Sequence, residues 1–189
     1  MFGRLFRRDS EAESIASGLY GAVVAQARNP VLYTDYGVAD TVTGRFEVVT
    51  LHLILVLDRL QRESDGEKAL GQRIFDLYCA DMDNALRELG FGDLGVPKRM
   101  KTMAEAFYGR AAAYREALAA GDAAGLGAAI ARNVFPDGGA GGARILALYG
   151  LASATALALT SVTQLRAGGM HFADLAAYAA SQANGELVA

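Results

Sequence analysis

The sequence has few of the residues that build covalent or metal-centred frameworks. Its single cysteine, Cys79, excludes an internal disulfide and any zinc or iron–sulfur site that needs several cysteines. Two histidines, His52 and His171, leave few strong metal ligands. Tryptophan is absent, and only three prolines are present to interrupt helices. Together with the many alanines and leucines, this composition favours helix.

An excess of charge of one sign is also missing. The 189 residues include 18 basic and 21 acidic side chains, for a net charge of −3 at pH 7. This balance excludes a generally basic nucleic-acid-binding protein, and we expect no DNA partner. The content of 52% hydrophobic and 21% charged residues excludes wholesale disorder. We therefore expect one domain with one sizeable core.

The amino-terminal residues 1–8 combine four large apolar residues with three arginines. They lack the apolar stretch of a secretory signal, so we predict a cytoplasmic protein. We divide the chain into a basic amino-terminal arm, residues 1–9, and an all-helical domain, residues 10–189. Two interpretations of the arm stay open: a frayed end, or a weak contact with the anionic inner face of the cytoplasmic membrane.

Two apolar segments decide the fold class. Residues 48–57 form a β-branched run that could be a strand, but the helix-compatible pattern extends to Arg62 and no other segment could pair with a strand. Residues 145–165 lack charge and are long enough to cross a bilayer, but Ser, Thr and Gln are spread through them. We interpret both as buried helices. The predicted fold is all-α, a single compact multi-helix domain with a central apolar helix.

Hydrophobic periodicity and capping signals predict the remaining elements. We expect helices over residues 10–28, 44–64, 67–89, 97–118, 122–133, 145–165 and 171–182. The first would begin with a capping box formed by Ser10 and Glu13. Long loops would cover residues 30–44 and the glycine-rich residues 136–142.

No motif in the sequence amounts to an active site. Residues 90–95 match G-x-G-x-x-G, but a helix precedes them and no parallel sheet is predicted, so we interpret them as a turn. Asp81 and Asp83 are two positions apart on a helix and diverge by roughly 200°. We expect His52 to be a buried, hydrogen-bonded core histidine and Cys79 an inert core thiol.

The helix that begins at Pro97 breaks a local rule. Lys98, Arg99 and Lys101 occupy its first turn, where the helix carries positive partial charge. Two explanations stay open. The cations could match Asp93 or its neighbours, or they could face an anionic partner such as lipid phosphate, nucleic acid or an acidic segment.

The order and spacing of several segments between Leu19 and Arg110 resemble one known family. The matching segments are Gln26-Ala27-Arg28-x-Pro30 with Tyr33, Gly37-Val38-x-Asp40-Thr41-x-x-Gly44-Arg45-Phe46-Glu47, Leu51-His52, Asp81-Met82-Asp83-x-x-Leu86-Arg87-Glu88, Gly92-Asp93-Leu94, Lys98, Met100-Lys101-x-Met103 and Ala106-Phe107-Tyr108-Gly109-Arg110. This pattern closely resembles the ubiquinol–cytochrome c chaperone family, assembly factors for ubiquinol–cytochrome c reductase.

The resemblance implies an all-helical, non-enzymatic protein without a cofactor. Mitochondrial members of the family bind newly made cytochrome b, together with a smaller partner protein, near the ribosomal exit. They hold cytochrome b for haem insertion and assembly. This chain looks like a short bacterial member, so the expected client is a hydrophobic membrane protein, cytochrome b. A peripheral contact with the membrane or the ribosome is the corresponding expectation for its location.

We interpret the client site as an apolar groove with adaptable side chains at its edge and polar side chains that either orient the client or support the groove. The candidates at the edge are Tyr33, Met100, Met103, Phe107 and Tyr108, and the polar candidates are Arg45, Asp81, Asp83, Lys98, Lys101 and Arg110. Two alternatives stay open. One is a carrier of haem or quinone with His52 as an axial ligand, and the other is an enzyme that uses Asp81, Asp83 and His52.

Overall fold

Helices make up all the regular secondary structure in the part of the chain that the computed structural model describes, residues 2–183, with side chains for residues 9–180. The helices are α1 (Phe2–Ala27), α2 (Val31–Thr34), α3 (Val42–Gln61), α4 (Asp65–Glu88), α5 (Val96–Ala120), α6 (Ala123–Val134), α7 (Ala140–Leu159), α8 (Val162–Arg166) and α9 (Leu175–Ala183). The all-α prediction is confirmed.

Helix α3 forms the centre of the molecule. Every residue from Thr50 to Leu57 is buried, so this part of α3 is covered on all sides. Helices α1, α4, α5, α6 and α7 pack around it. Burial of its apolar side chains outweighs the small helix-propensity penalty of its β-branched residues. The predicted central apolar helix is therefore present.

Helices α1 and α4 pack side by side and run in the same direction. Asp9 of α1 pairs with Arg73 of α4. Further along both helices, the Tyr20 hydroxyl donates a hydrogen bond to Asp81 Oδ2 at 2.8 Å. Since the later residue of α1 meets the later residue of α4, the two helices are parallel and terminate at the same end of the bundle.

Three predicted boundaries were wrong. Helix α1 begins at Phe2, so Ser10 and Glu13 lie inside the helix and form no capping box. The predicted loop over residues 30–44 contains the short helix α2, and the last helix begins at Leu175. The side chains of residues 1–8 lie outside the described part of the chain, so the basic arm over residues 1–9 stays a prediction.

The helix predicted over residues 145–165 is interrupted. Helix α7 ends at Leu159, and Thr160 has extended backbone. Ser161 then starts α8 with a capping box: its hydroxyl accepts from the Gln164 N–H, and the Gln164 side chain accepts from the Ser161 N–H. Ser161 and Gln164, two of the polar residues that argued against a membrane span, therefore start a new helix directly after α7.

Helix α7 is long and apolar enough to cross a membrane when judged by length and composition alone, and it is the one such helix among the described residues. In the fold it packs against α3, α6 and α9. Its most buried side chains, such as Leu146, Ala147 and Tyr149, are fully enclosed. These contacts agree with the prediction of an interior helix.

Candidate binding groove

A groove of about 480 Å³ opens at the end of the bundle where α1 and α4 terminate. Five helices contribute to its walls: the last turn of α1, α2 through Tyr33, the first two turns of α3, the last turns of α4, and α5 through Met103. The groove is a consequence of the parallel packing of α1 and α4, because their ends stop together while α3 begins between them.

The interior of the groove is apolar. Phe46 of α3 lines it and stacks on Tyr78, with 6.1 Å between ring centroids and 30° between ring planes. Met82 of α4 lies opposite and is half-buried. At the rim, Val42 is 61% exposed and Leu89 is 55% exposed. Apolar side chains that stay exposed around one groove are typical of a surface that binds another molecule.

The two edges of the groove differ in charge. Arg28 and Arg45 lie on the side formed by α1 and α3, and Asp81 and Glu88 lie on the side formed by α4. Arg45 Nε is 2.6 Å from Oδ1 of Asp40, and this hydrogen bond lowers the pKa of the Asp40 carboxyl. A ligand in the groove would therefore meet cations along one edge and carboxylates along the other.

A buried ion pair supports the groove between α3 and α5. The carboxylate of Glu47, which is 3% exposed, accepts from Arg110 Nε at 2.7 Å and from Arg110 Nη2 at 2.5 Å. Burial raises the pKa of Glu47, and the hydrogen bonds and charge of Arg110 oppose that rise. Arg110 thus holds the carboxylate of Glu47, a residue of the groove lining, in place.

Glu47 was not among the residues chosen from the sequence. A signal was available, because Glu47 is a lone carboxylate at the start of the long apolar run of α3. A charged side chain at such a position requires a buried partner.

Four of the eleven predicted site residues meet in the groove: Tyr33, Arg45, Asp81 and Met103. The hydroxyl of Tyr33 donates to the Ala27 carbonyl at 2.7 Å, which fixes the ring against the end of α1. Asp81 is held by the hydroxyl of Tyr20. Residues from three distant parts of the sequence therefore share one surface.

The other predicted site residues lie outside the lining of this groove. Phe107 is 3% exposed and packs 4.9 Å from Phe75 and 5.7 Å from Tyr78 between ring centroids. It therefore belongs to the core and not to the edge of the groove. The sequence could not separate these two roles, because the helical spacing of Phe107 is compatible with both. Tyr108, next to it, is 61% exposed.

Asp83 and the cations of α5 have separate environments. Asp83 Oδ2 is 2.6 Å from Arg87 Nε. Arg87 Nη1 is 2.5 Å from Asp93 Oδ1, so Asp93 is engaged by an arginine of α4 and does not match the lysines of α5. Lys98 and Lys101 are exposed, and Met100 beside them is half-buried. Among the described residues neither lysine forms an ion pair with Asp93, and Lys101 lies 3.9 Å from Glu105 Oε1.

His52 is a satisfied core histidine, as expected. It is fully buried, and its Nδ1 lies 2.6 Å from the Val48 carbonyl oxygen while its Nε2 lies 2.8 Å from the Tyr149 hydroxyl. Burial lowers the pKa of His52 to about 4, which keeps the ring neutral. Both ring nitrogens have protein partners, so the geometry does not favour His52 as an axial haem ligand.

The structure does not assemble His52, Asp81 and Asp83 into one site. His52 faces α7 in the core, Asp81 bonds to Tyr20, and Asp83 bonds to Arg87. No group of three or more His, Cys, Asp or Glu side chains within the described residues could hold a metal ion. Cys79 is half-buried against the core, and burial raises the pKa of its thiol.

Comparison with known proteins identifies the family. The model of the ubiquinol–cytochrome c chaperone family matches residues 34–172. The chain belongs to this family. The match starts just after Tyr33, includes the other ten predicted site residues, and extends well beyond Arg110, where the recognised sequence pattern stopped.

A solved structure of the same kind agrees with this assignment. The crystal structure of the Cbp3 homolog from Brucella abortus is 43% identical in sequence, with a TM-score of 0.84. The similarity covers 93% of this chain and 98% of that chain. No curated protein sequence matches this chain. As a member of the ubiquinol–cytochrome c chaperone family, the protein has a chaperone role in assembly of the reductase.

Proposed function

We propose that this protein is an assembly chaperone that binds newly made cytochrome b during biogenesis of ubiquinol–cytochrome c reductase, and that the groove is its client site. The observation that carries the proposal is the apolar groove at the common end of α1 and α4, with Val42 and Leu89 exposed at its rim. Family membership supports a client that belongs to the reductase.

The chaperone would act by equilibrium binding. An apolar segment of cytochrome b would cover the groove and remove apolar surface from water, which is worth about 25 cal/mol per Å² before the costs of association. Met82 and Met103 line the groove, and flexible methionine side chains can adapt to different client surfaces. Release would follow when assembly buries the same segment in the reductase.

The charged edges would set the orientation of the client. A basic client residue would lie next to Asp81 and Glu88, and an acidic one next to Arg28 and Arg45. Such complementarity selects partners and orientation more than it adds affinity. An arrangement in which charged groups surround an apolar interior suits the binding of an apolar client segment.

Site-specific photocrosslinking tests the proposal. A photoreactive amino acid replaces Val42 or Leu89 at the rim, and Leu159 serves as the control because it is 83% exposed and lies outside the groove lining. Cytochrome b is made by cell-free translation in the presence of each variant and of membrane vesicles. We expect crosslinks to cytochrome b from positions 42 and 89 and not from position 159.

A paired substitution measures the contribution of the rim. The double variant Val42→Ser/Leu89→Ser should keep its helical circular dichroism, because both side chains are exposed, and should lose most client capture. Leu159→Ser is the matched control and should capture cytochrome b like the unchanged protein. Equal crosslinking from all three positions, or full capture by the double variant, would contradict the groove as the client site.

A further inference from the structure

The connection between α4 and α5 forms an exposed tip, which we define as residues 87–101. Leu94 is 98% exposed and Leu89 is 55% exposed, so the tip presents two large apolar side chains to solvent. Phe91 is half-buried, and the guanidinium carbon of Arg99 lies 3.7 Å from the centroid of its ring. Leu94 in particular is almost entirely in solvent and contributes almost nothing to the core.

The backbone of the tip is well fixed. Gly90 adopts a left-handed conformation, with φ of 86°, directly after α4. The N–H of Gly90 donates to the Arg87 carbonyl at 2.9 Å, and the N–H of Phe91 donates to the Leu86 carbonyl at 3.1 Å. These bonds close the end of α4 in the way that glycine permits. The N–H of Gly95 donates to the Gly92 carbonyl at 2.8 Å, so the exposed Leu94 lies within a second closed turn.

The tip is also locally basic. It contains four basic and two acidic residues, a net charge of +2, in a chain whose total charge is −3. It holds two of the chain's three lysines, Lys98 and Lys101. The carboxylate of Asp93 is engaged by Arg87, and Lys101 is 3.9 Å from Glu105. Within the described residues Lys98 has no ion pair.

The position of these cations favours an anionic partner. Lys98, Arg99 and Lys101 lie in the first turns of α5, where the helix dipole opposes positive charge. An anionic surface outside the tip would offset this repulsion. A side-by-side arrangement of exposed leucine and lysine is the pattern that interfacial membrane-binding segments use, with apolar groups below the headgroups and cations at the phosphates.

We propose that the tip docks on the anionic surface of a lipid bilayer. Leu94 would enter the interfacial region, and Lys98, Arg99 and Lys101 would face the lipid phosphates. Leu89 belongs both to the tip and to the rim of the groove. Docking would therefore place the mouth of the groove beside the membrane, where an apolar client emerges. This surface goes beyond the proposed client binding and does not depend on it.

A single tryptophan tests the proposal in the full-length protein, because the natural sequence has none. The variant Leu94→Trp places an indole at the tip, and Leu159→Trp places one at a second exposed site. Each is mixed with vesicles of phosphatidylcholine containing 30% phosphatidylglycerol, with and without bromine-labelled acyl chains. We expect a blue shift and bromine quenching for the indole at position 94 and neither for the indole at position 159.

Charge variants test the electrostatic part. Adding Lys98→Gln/Lys101→Gln to Leu94→Trp should lower vesicle binding by about fivefold for each lysine. The matched control, Lys68→Gln/Arg144→Gln, removes the same charge from exposed residues of α4 and α7 and should leave binding unchanged. Vesicles of phosphatidylcholine alone should bind much more weakly.

Three results would overturn the proposal. The first is emission from position 94 that does not change with anionic vesicles, even when the protein sediments with them through residues 1–9. The second is equal quenching at positions 94 and 159, and the third is equal weakening by the two charge variants. Because the vesicles contain no protein, none of these results depends on whether cytochrome b is the client.

Discussion

Four residues in the core of the molecule form one chain of hydrogen bonds across three helices. Gln26 Nε2 of α1 donates to the Tyr149 hydroxyl of α7 at 3.0 Å, and that hydroxyl lies 2.8 Å from His52 Nε2 of α3. Because the Val48 carbonyl can only accept, His52 Nδ1 carries the proton and Nε2 accepts from Tyr149. The chain fixes α1, α3 and α7 relative to one another.

The neutral state of His52 predicts a loss of stability in mild acid. Its pKa is about 4 in the fold and about 6.5 in an unfolded chain, so the unfolded state binds more protons between these values. Stability is therefore full above about pH 6.5 and falls as the pH decreases toward 4. From pH 7 to pH 5 we expect a loss of about 2 kcal/mol from this residue, measured by urea unfolding.

Two histidine variants separate this effect from the titration of carboxylates. His52→Gln keeps an acceptor for Tyr149 but has no imidazole to protonate, so its stability should change less between pH 7 and pH 5. His171→Gln removes the exposed histidine and should show the full change. Identical pH profiles for the two variants would be inconsistent with a buried, neutral His52.

For the buried Glu47–Arg110 pair, we expect removal of one partner to destabilise the fold more than removal of both. Arg110→Met leaves the Glu47 carboxylate buried without a partner, which should cost about 3–5 kcal/mol of unfolding free energy. The double variant Glu47→Met/Arg110→Met should recover most of this loss. Arg45→Met, which removes the arginine of an exposed pair, should leave the melting temperature unchanged. A double variant no more stable than Arg110→Met would argue against the pair as the cause.

At the scale of elements, the start of α3 depends on a glycine. A Cβ at Gly44 would lie 2.0 Å from the Ala39 carbonyl oxygen, which belongs to the segment that leads into the helix. The Gly44 N–H also donates to the Thr41 side chain, which caps α3. The close turn therefore positions Val42 and Arg45 at the rim of the groove.

Two glycine-to-alanine substitutions should have opposite signs. Gly44→Ala should lower the unfolding free energy and weaken client binding, because the segment before α3 must move. Gly18→Ala, in the middle of α1 with open space around its Cβ position, should raise the unfolding free energy by about 0.5–1 kcal/mol through helix propensity. Urea unfolding measures both, and a stabilised Gly44→Ala protein would contradict the observed packing.

The sequence predicted well those helices that are marked by neighbouring residues, such as an apolar run or a helix cap. Continuous apolar character predicted α3, and cap residues placed the starts of α5 and α6 to within a residue or two. The interruption between α7 and α8 was missed because Ser161 and Gln164 sit inside an uncharged run. The α1 wall of the groove was also missed. It depends on Tyr20 meeting Asp81, 61 residues away, and no spacing within either helix reveals that pairing.

At the scale of the whole molecule, α7 and the tip predict different behaviour toward membranes. Helix α7 packs against α3, α6 and α9, so we expect no requirement for detergent. Binding through the tip should be salt-sensitive, because raising the ionic strength from about 0.1 M to 1 M shortens the screening length from about 10 Å to 3 Å. After cell lysis, membrane-associated protein should be released by 1 M salt. Release by detergent alone would indicate that α7 spans the bilayer.

Two long-range hydrogen bonds also bear on when the fold is completed during its own synthesis. The Tyr36 hydroxyl donates to the carbonyl of Leu175, which lies 139 residues later. The hydrogen bond from Gln26 likewise cannot form until Tyr149, 123 residues later, has been made. At about 5–20 residues per second, the first of these intervals takes roughly 7–28 s. A nascent chaperone would therefore complete these contacts only after Leu175 has been made, so a client is bound in the finished fold by a molecule whose synthesis has already passed that residue.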